Sequence, residues 1–75
     1  MPKRPPTRQE RTRAVVALLA AHGPLTVSAI ARQAGFAIIA VRMVLLQPLF
    51  EREDTARGPR FGLNEAGRKL AAQLG

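Results

Sequence analysis

The chain has no cysteine, no tyrosine, no tryptophan and a single histidine, His22, among its 75 residues. The lack of cysteine excludes disulfide bonds, thiolate zinc sites and a cysteine nucleophile, and a lone histidine excludes a metal site built on several imidazoles. Without tyrosine and tryptophan, the chain also lacks the aromatic platforms that stack the bases of single-stranded nucleic acid. We therefore expect no metal and no cofactor.

Long hydrophobic runs are missing as well. The two longest uncharged stretches are residues 14–31, which turn-forming residues interrupt, and residues 33–41, which are too few to span a bilayer. The basic N-terminus is not followed by the compact apolar segment of a signal peptide. These absences predict one small soluble domain in the cytoplasm, with no membrane partner.

Acidic residues are few, five against twelve lysines and arginines, so the net charge is +7. Such a basic balance in a small domain favours a polyanionic partner. Three prolines in the first six residues predict that residues 1–6 form an extended, flexible basic arm. The arm is suited to contact the minor groove or phosphates of DNA, and the alternative is a solvated tail that only aids solubility.

Capping signals and an apolar stripe predict a first helix that begins after Thr7 and ends near His22. The hydroxyl of Thr7 and the carboxylate of Glu10 have the spacing of a capping box. Gly23 and Pro24 end the helix, and His22 lies in its last turn, where an imidazole favours the carbonyl end of the helix dipole. The inward stripe has the spacing of one helical face and consists of Thr12, Val15, Val16, Leu19 and Ala20.

Two further short helices are predicted over residues 27–33 and 37–47. Leu25 and Thr26 form a short extended link before the first of them, and Thr26 is suited to cap it. The second stops at Pro48, which cannot continue a helix.

Small residues between these two helices predict a steep corner. Ala31 allows close contact between the helices, Gly35 makes the tight turn and Val41 packs the second helix back on the first. The remaining inward positions are filled by Ile30, Ala34, Phe36 and Val44.

The last third of the chain predicts a hairpin and a final helix. Residues 49–52 and 60–63 have the pattern of two strands, and residues 53–58 are polar and turn-forming. Phe50 and Phe61 would alternate onto the core face of the hairpin. The final helix is capped by Asn64 and carries Ala66, Leu70 and Leu74 on one face, and its interior Gly67 indicates a close packing contact.

The stretch from Val27 to Val44 resembles a helix-turn-helix, and with the hairpin behind it, residues 7–75 look like the winged helix-turn-helix of small bacterial transcriptional regulators. The segment Arg60-Phe-Gly-Leu-Asn-Glu-Ala-Gly-Arg-Lys-Leu is similar to the junction of the wing and the last helix in MarR- and PadR-type repressors. In those proteins a strand that ends in Leu is commonly followed by Thr-Glu-x-Gly, and Asn64 stands here in place of the Thr. The resemblance implies a mainly α fold with a three-helix core, a two-stranded wing and a C-terminal helix.

The resemblance also implies binding of duplex DNA, with helix 37–47 in the major groove and wing 52–60 on phosphate or the minor groove. Arg42 would then offer a bidentate fork to guanine, and Gln47 a weaker amide contact. Arginines on the first two helices would bind phosphates. The full set of expected DNA-contacting residues is Lys3, Arg4, Arg8, Arg11, Arg32, Ala37, Ile38, Ile39, Arg42, Met43, Gln47, Arg57 and Arg60.

The outward arc of helix 37–47 departs from an ordinary base-reading surface. At about 100° per residue it contains Arg42 and three apolar residues, Ile39, Met43 and Leu46. One interpretation is that the hairpin or the last helix covers Met43 and Leu46, while Ile39 contacts a thymine methyl group. The other is that the three apolar residues form an exposed stripe that binds another protein or a second copy of the chain.

Nothing in the sequence supports catalysis. The acids between residues 51 and 54 are flanked by arginines, which favours solvated turn residues over a carboxylate pair or a metal site. No serine or threonine has a base and an orienting partner nearby, and no glycine-rich phosphate-binding motif occurs. We expect no enzymatic activity.

The sequence therefore predicts a small DNA-binding protein, a nucleoid-associated transcriptional repressor or accessory regulator that reads the duplex with helix 37–47 and wing 52–60. The alternative is a protein-interaction or adaptor module on the same fold, which would use Ile39, Met43 and Leu46. A weaker alternative is a protein that binds structured RNA. Because neither a ligand pocket nor a dimerisation domain is evident, sufficient affinity for DNA would need a homodimer or cooperative binding at adjacent sites.

Overall fold

The computed structural model describes residues 4–74, which form four α-helices and a three-stranded antiparallel sheet, a mixed α/β arrangement. The expected helices and hairpin are present, but the sheet has one strand more than the predicted two-stranded wing. The elements follow in the order α1 (Arg8–His22), β1 (Leu25–Thr26), α2 (Val27–Ala34), α3 (Ile38–Leu45), β2 (Phe50–Thr55), β3 (Gly58–Leu63) and α4 (Glu65–Leu74).

The additional strand is β1, which the sequence indicated only as an extended link. Leu25 pairs with Phe61 and Thr26 with Arg60, so β3 lies at the centre of the sheet in the order β1-β3-β2. A strand of two residues has no alternation of its own to detect. Its pairing arises because α1 and α2 place the link beside β3.

The hairpin strands β2 and β3 are longer than the sequence indicated. Most of the predicted turn at residues 53–58 belongs to the strands, and only Ala56 and Arg57 remain in the turn. The hydroxyl of Thr55 stabilises this turn, because it donates to the carbonyl oxygen of Gly58 at 2.6 Å and accepts from the backbone N–H of Arg57 at 3.3 Å. Gly58 has a φ of 111°, a conformation that favours glycine. Polar residues thus extend an exposed strand instead of forming a loop.

Thr7 caps α1 as predicted, but the capping box is only half formed. Its hydroxyl accepts from the backbone N–H of Glu10 at 3.1 Å. The carboxylate of Glu10, which was expected to return to the backbone, instead pairs with Arg4 at 2.6 Å. The nearby guanidinium is the better partner because it carries a full charge.

The corner between α2 and α3 has the geometry that its small residues predict. Thr26 caps α2 by accepting from the backbone N–H of Ala29 at 3.2 Å. Gly35 ends α2 in the left-handed conformation, with φ 75° and ψ 28°, and its N–H donates to the carbonyl oxygen of Ala31 at 2.9 Å. The chain bends by 114° between the two helices. As a result, α3 leaves the corner steeply instead of continuing α2.

Apolar side chains of α1, α2 and α3 form the core. Phe50 and Phe61 of the hairpin lie partly buried against it, as their alternation predicts. The buried members of the cluster are Val15, Leu19, Ile30, Ala31, Val41 and Val44. The core therefore fixes α3 through one side only, that of Val41 and Val44.

The final helix, α4, packs against α1 and β3. The side chain of Asn64 caps it as predicted, because its Oδ1 accepts from the backbone N–H of Gly67 at 2.9 Å. A Cβ atom at Gly67 would lie against the carbonyl oxygen of Leu49 and 3.0 Å from Cδ2 of Leu63. The close contact predicted for this glycine is confirmed.

Candidate nucleic-acid interface

Helix α3 presents a large apolar surface to solvent. Its exposed fractions are 73% for Ile39, 52% for Met43 and 47% for Ile38, and that of Leu46, which follows the helix, is 76%. Arg42 lies exposed among them. We call these five residues the α3 face. The interpretation in which the hairpin or the last helix covers Met43 and Leu46 is wrong, because both side chains stay more than half exposed.

The composition of α3 explains why this face is apolar. Seven of its eight residues are apolar, and Arg42 is the exception. The core buries Val41 and Val44 and Leu45 packs partly against it, whereas Ile38, Ile39 and Met43 stay about half exposed or more. A helix that is apolar on all sides is normally buried, and an exposed apolar surface of this kind marks an interaction site.

The ends of α3 differ from the predicted range of 37–47. Ala37 is the exposed N-cap residue and makes no side-chain cap, and the helix ends at Leu45. Gln47 lies beyond the helix, where its Nε2 donates to Oγ1 of Thr12 at 2.7 Å. Its amide joins the end of α3 to α1, which replaces the base contact expected for it.

A groove of about 420 Å³ continues the α3 face towards the sheet. Arg42 and Leu46 line one side of it, and Arg52 and Phe61 line the other. Arg52 lies there because it is opposite Phe61 in the β2–β3 register and shares its face of the sheet. The ion pair of Arg52 with Asp54, 3.0 Å, is exposed and therefore weak. The groove thus has an apolar floor between two guanidinium groups.

A second groove, of about 530 Å³, lies between the hairpin turn and the start of α2. Arg57 and Arg60 line it together with Thr26 and Ala29. Arg60 lies 3.7 Å from Glu53 in an exposed pair, whereas Arg57 has no acidic partner in the described part of the chain. The fold therefore brings both predicted wing arginines to the N-terminal end of α2.

In the described residues, the excess positive charge lies on the arginines that are not paired with an acid. The five acids pair within 3.9 Å as Arg4–Glu10, Arg52–Asp54, Arg60–Glu53, Arg68–Glu51 and Lys69–Glu65. Of the twelve bases, Lys3 lies outside residues 4–74, and five of the other eleven are in these pairs. The six without an acidic partner in residues 4–74 are Arg8, Arg11, Arg13, Arg32, Arg42 and Arg57, all exposed except the half-buried Arg11.

The residues before α1 contact the first turns of the helix. Besides the pair of Arg4 with Glu10, an Nη atom of Arg11 donates to the carbonyl oxygen of Pro6 at 2.7 Å. The Nε atom of Arg11 is buried and makes no hydrogen bond. The contact expected for Lys3 lies outside the described residues. Both Arg4 and Arg11 would have to leave these internal partners to bind phosphate with their full donor sets.

A wider cleft, of about 670 Å³, lies away from α3, between the end of α1, α4 and the sheet. Glu51 and Glu53 line it together with Arg52 and Arg68, and Arg68 lies 3.9 Å from Glu51. The two carboxylates offset the two guanidinium groups, so the cleft has no excess positive charge to favour an anionic ligand. The charge pattern therefore favours α3 and the hairpin turn as the interface, not this cleft.

Arg52 of this surface and Arg13 of α1 were missing from the expected set. Arg52 had a signal in the sequence, because the alternation that places Phe50 on the core face places Arg52 on the same face. Arg13 had none, because its acidic neighbour in sequence, Glu10, is engaged by Arg4 only in the folded chain.

Neither a membrane span, nor a metal site, nor a related protein points to another function for the described residues. Among residues 4–74 no single helix is both long and apolar enough to cross a membrane, and α2 with α3 meets that requirement only as a pair bent by 114°. No three histidine, aspartate or glutamate side chains in the same residues group as metal ligands. Comparisons of the chain with protein-family models, curated proteins and solved structures give no match.

Proposed function

We propose that the chain is a small winged helix-turn-helix protein that binds duplex DNA, with α3 in the major groove and the β2–β3 turn on phosphates or in the minor groove. The observation that carries the proposal is the exposed, acid-free α3, which projects from a 114° corner and is accompanied by arginines without acidic partners. In this proposal α2, Gly35 and α3 are the helix-turn-helix, and the hairpin is the wing.

Shape and charge both support this docking. An α-helix with its side chains is about 10–12 Å across, and the major groove is about 12 Å wide. Arg8, Arg32 and Arg57 lie on α1, α2 and the hairpin turn, all exposed, and would contact phosphates. Such contacts fix the orientation of the protein, while Arg42 reads a base edge.

The small size of the reading surface favours binding by more than one chain. One short helix with a single hydrogen-bonding side chain makes few base contacts, so one chain alone gives limited affinity and specificity. We therefore propose a repressor or accessory regulator in the nucleoid that acts as a homodimer or binds cooperatively at adjacent sites.

The salt dependence of duplex binding tests the proposal. With Arg60 beside Arg57 in the hairpin groove as the fourth, four phosphate contacts per chain predict a slope of about −3.6 for log K against log salt concentration, measured by fluorescence anisotropy with a short duplex. Arg32→Gln should reduce the steepness by about 0.9. Lys69→Gln, which removes a base on α4 beside Glu65, is the matched control and should leave the slope unchanged. A slope near zero for the unaltered chain would contradict the proposal.

A second candidate function is protein binding through Ile39, Met43 and Leu46, and the exposure of all three favours it. It predicts that Ile39→Asp with Met43→Asp abolishes self-association or partner association, as measured by sedimentation. If the double variant associates as before while Arg42→Ala abolishes duplex binding, the adaptor function is wrong.

A further inference from the structure

We infer that the α3 face recognises a guanine next to a pyrimidine that carries a C5-methyl group. The inference rests on the proposed binding of duplex DNA and specifies which duplexes the chain prefers. The chemistry read is the methyl group itself, which thymine and 5-methylcytosine both present in the major groove.

Arg42 is the one side chain of α3 that can form hydrogen bonds with a base edge. The other residues of the helix are apolar, and the amide of Gln47 already donates to Thr12. A guanidinium fork binds O6 and N7 of a guanine with two parallel hydrogen bonds. Hydrogen-bonded readout by α3 is therefore restricted to one guanine, and neighbouring base pairs have to be distinguished without hydrogen bonds.

Apolar side chains surround Arg42 at the spacings that reach those neighbouring base pairs. Ile38 and Leu46 are four residues before and after it, Ile39 is three before and Met43 follows it directly. One helical turn advances about 5.4 Å, which is between one and two base-pair steps of about 3.4 Å. The apolar group available in the major groove at that distance is the C5-methyl of a pyrimidine. Polar base edges there would lose water without gaining a partner.

The charges around the face favour a nucleic acid over a protein as its occupant. No acid occurs from residue 11 to residue 50, and Arg42 and Arg52 border the groove beside Leu46. An apolar protein surface placed on this face would bury Arg42 without a partner, which is unfavourable. A guanine beside a methyl group satisfies the guanidinium and the apolar side chains together.

Duplexes that differ by one methyl group test the inference directly. Four pools of duplexes of about 20 base pairs, long enough for two half-sites, share flanks that contain no guanine beside thymine on either strand, and they differ only in one central step. The step is TpG, UpG, 5-methyl-CpG or CpG, so each pair of pools differs by a C5-methyl group alone. We expect the methylated member to bind about fourfold more tightly, the effect of burying one methyl group. A difference confined to T against U identifies thymine as the source, and one confined to the cytosine pair identifies 5-methylcytosine.

Variants of the α3 face should reduce this ratio. Ile39→Ala with Leu46→Ala should bring the affinities within each pair closer together, because the two most exposed of the four apolar side chains around Arg42 are then truncated. Leu74→Ala removes an apolar side chain of α4 that is 38% exposed, and as the matched control it should leave the ratio unchanged. A ratio of two affinities is insensitive to a uniform loss of binding or of folded protein.

The outcomes separate the inference from the function on which it rests. Equal affinities within both pairs, with salt-dependent duplex binding retained, would overturn methyl recognition and leave the proposed function standing. No binding to any pool would overturn both. Self-association that is lost in the Ile39 and Leu46 double variant and that competes with duplex would assign the face to a second copy of the chain, which also overturns the inference.

Discussion

Helices α3 and α4 are short surface helices of similar length, yet their exposed residues differ in kind. On α4, Glu65 and Lys69 form an exposed pair at 3.8 Å, and the buried position is Gly67. On α3, the exposed residues include Ile39 and Met43, and no acid is present. Charged exposed faces are typical of helices that only cover a core. Packing within the chain therefore accounts for the sequence of α4. It does not account for the exposed apolar residues of α3.

Because of this difference, substitutions in the two helices should affect different properties of the protein. Changes on the packed side of α4 should alter the free energy of unfolding. They should reduce duplex binding only as far as they reduce the folded fraction of the protein. Changes on the α3 face should leave stability nearly constant and alter binding. Loss of the hydrogen bond between Thr12 of α1 and Gln47 after α3 should have an intermediate effect on stability.

The largest effect on stability is expected for Gly67→Ala. Alanine favours a helix over glycine by about 1 kcal/mol, but here its methyl group would press on the carbonyl oxygen of Leu49, a backbone atom that cannot rotate away. We expect the free energy of unfolding to fall by about 3 kcal/mol, at the upper end of overpacking costs, in urea denaturation. Ala66→Gly, at the exposed neighbouring position, is the control and should cost about 1 kcal/mol. A stabilised Gly67→Ala variant would show that α4 is not held by this contact.

An intermediate effect is expected for Thr12→Val. The buried hydroxyl of Thr12 accepts from Gln47 at 2.7 Å and donates to the carbonyl oxygen of Arg8 at 2.9 Å. Valine keeps the shape but leaves the amide of Gln47 without its acceptor, which should cost about 1–2 kcal/mol in thermal or urea unfolding. The double variant with Gln47→Leu should recover part of that loss. Equal stability of Thr12→Val and the unaltered chain would show that this hydrogen bond does not hold the end of α3.

The smallest effect on stability is expected on the α3 face. Met43→Gln with Leu46→Gln should change the free energy of unfolding by no more than about 0.5 kcal/mol, because both side chains are exposed. Leu70→Gln on α4, where the side chain is half-buried, is the matched control and should cost more than 1 kcal/mol by urea unfolding. A large loss in the α3 variant would mean that these side chains stabilise the fold, and the contrast between the two helices would fail.

Local signals were sufficient to predict most of the helical architecture. Thr7, Thr26 and Asn64 cap the helices that their positions indicated, and Gly35 ends α2 in the left-handed conformation. These features depend on residues within one turn of each other. The extra strand β1 and the longer hairpin strands could not be predicted, because strand pairing depends on which distant backbone lies alongside.

In the candidate site, too, local features were predicted and long-range contacts were not. The outward position of Ile39, Arg42 and Met43 follows from helical periodicity and is found in the structure. The engagement of Gln47 by Thr12 joins residues 35 apart in sequence, and no local pattern announces it. Binding of DNA by this surface stays a prediction that the salt and methyl experiments test.

The sequence alone determined the charge of the chain, the N-terminal caps of α1, α2 and α4 and the corner at Gly35, because these depend on composition and on neighbours within a few residues. Only the tertiary structure decided that the apolar side chains of the α3 face stay about half exposed or more, that Arg52 lies beside them and that Gln47 is bonded to Thr12. Those outcomes depend on which elements reach each other when the small core closes, and its few buried side chains can hold α3 on one side only.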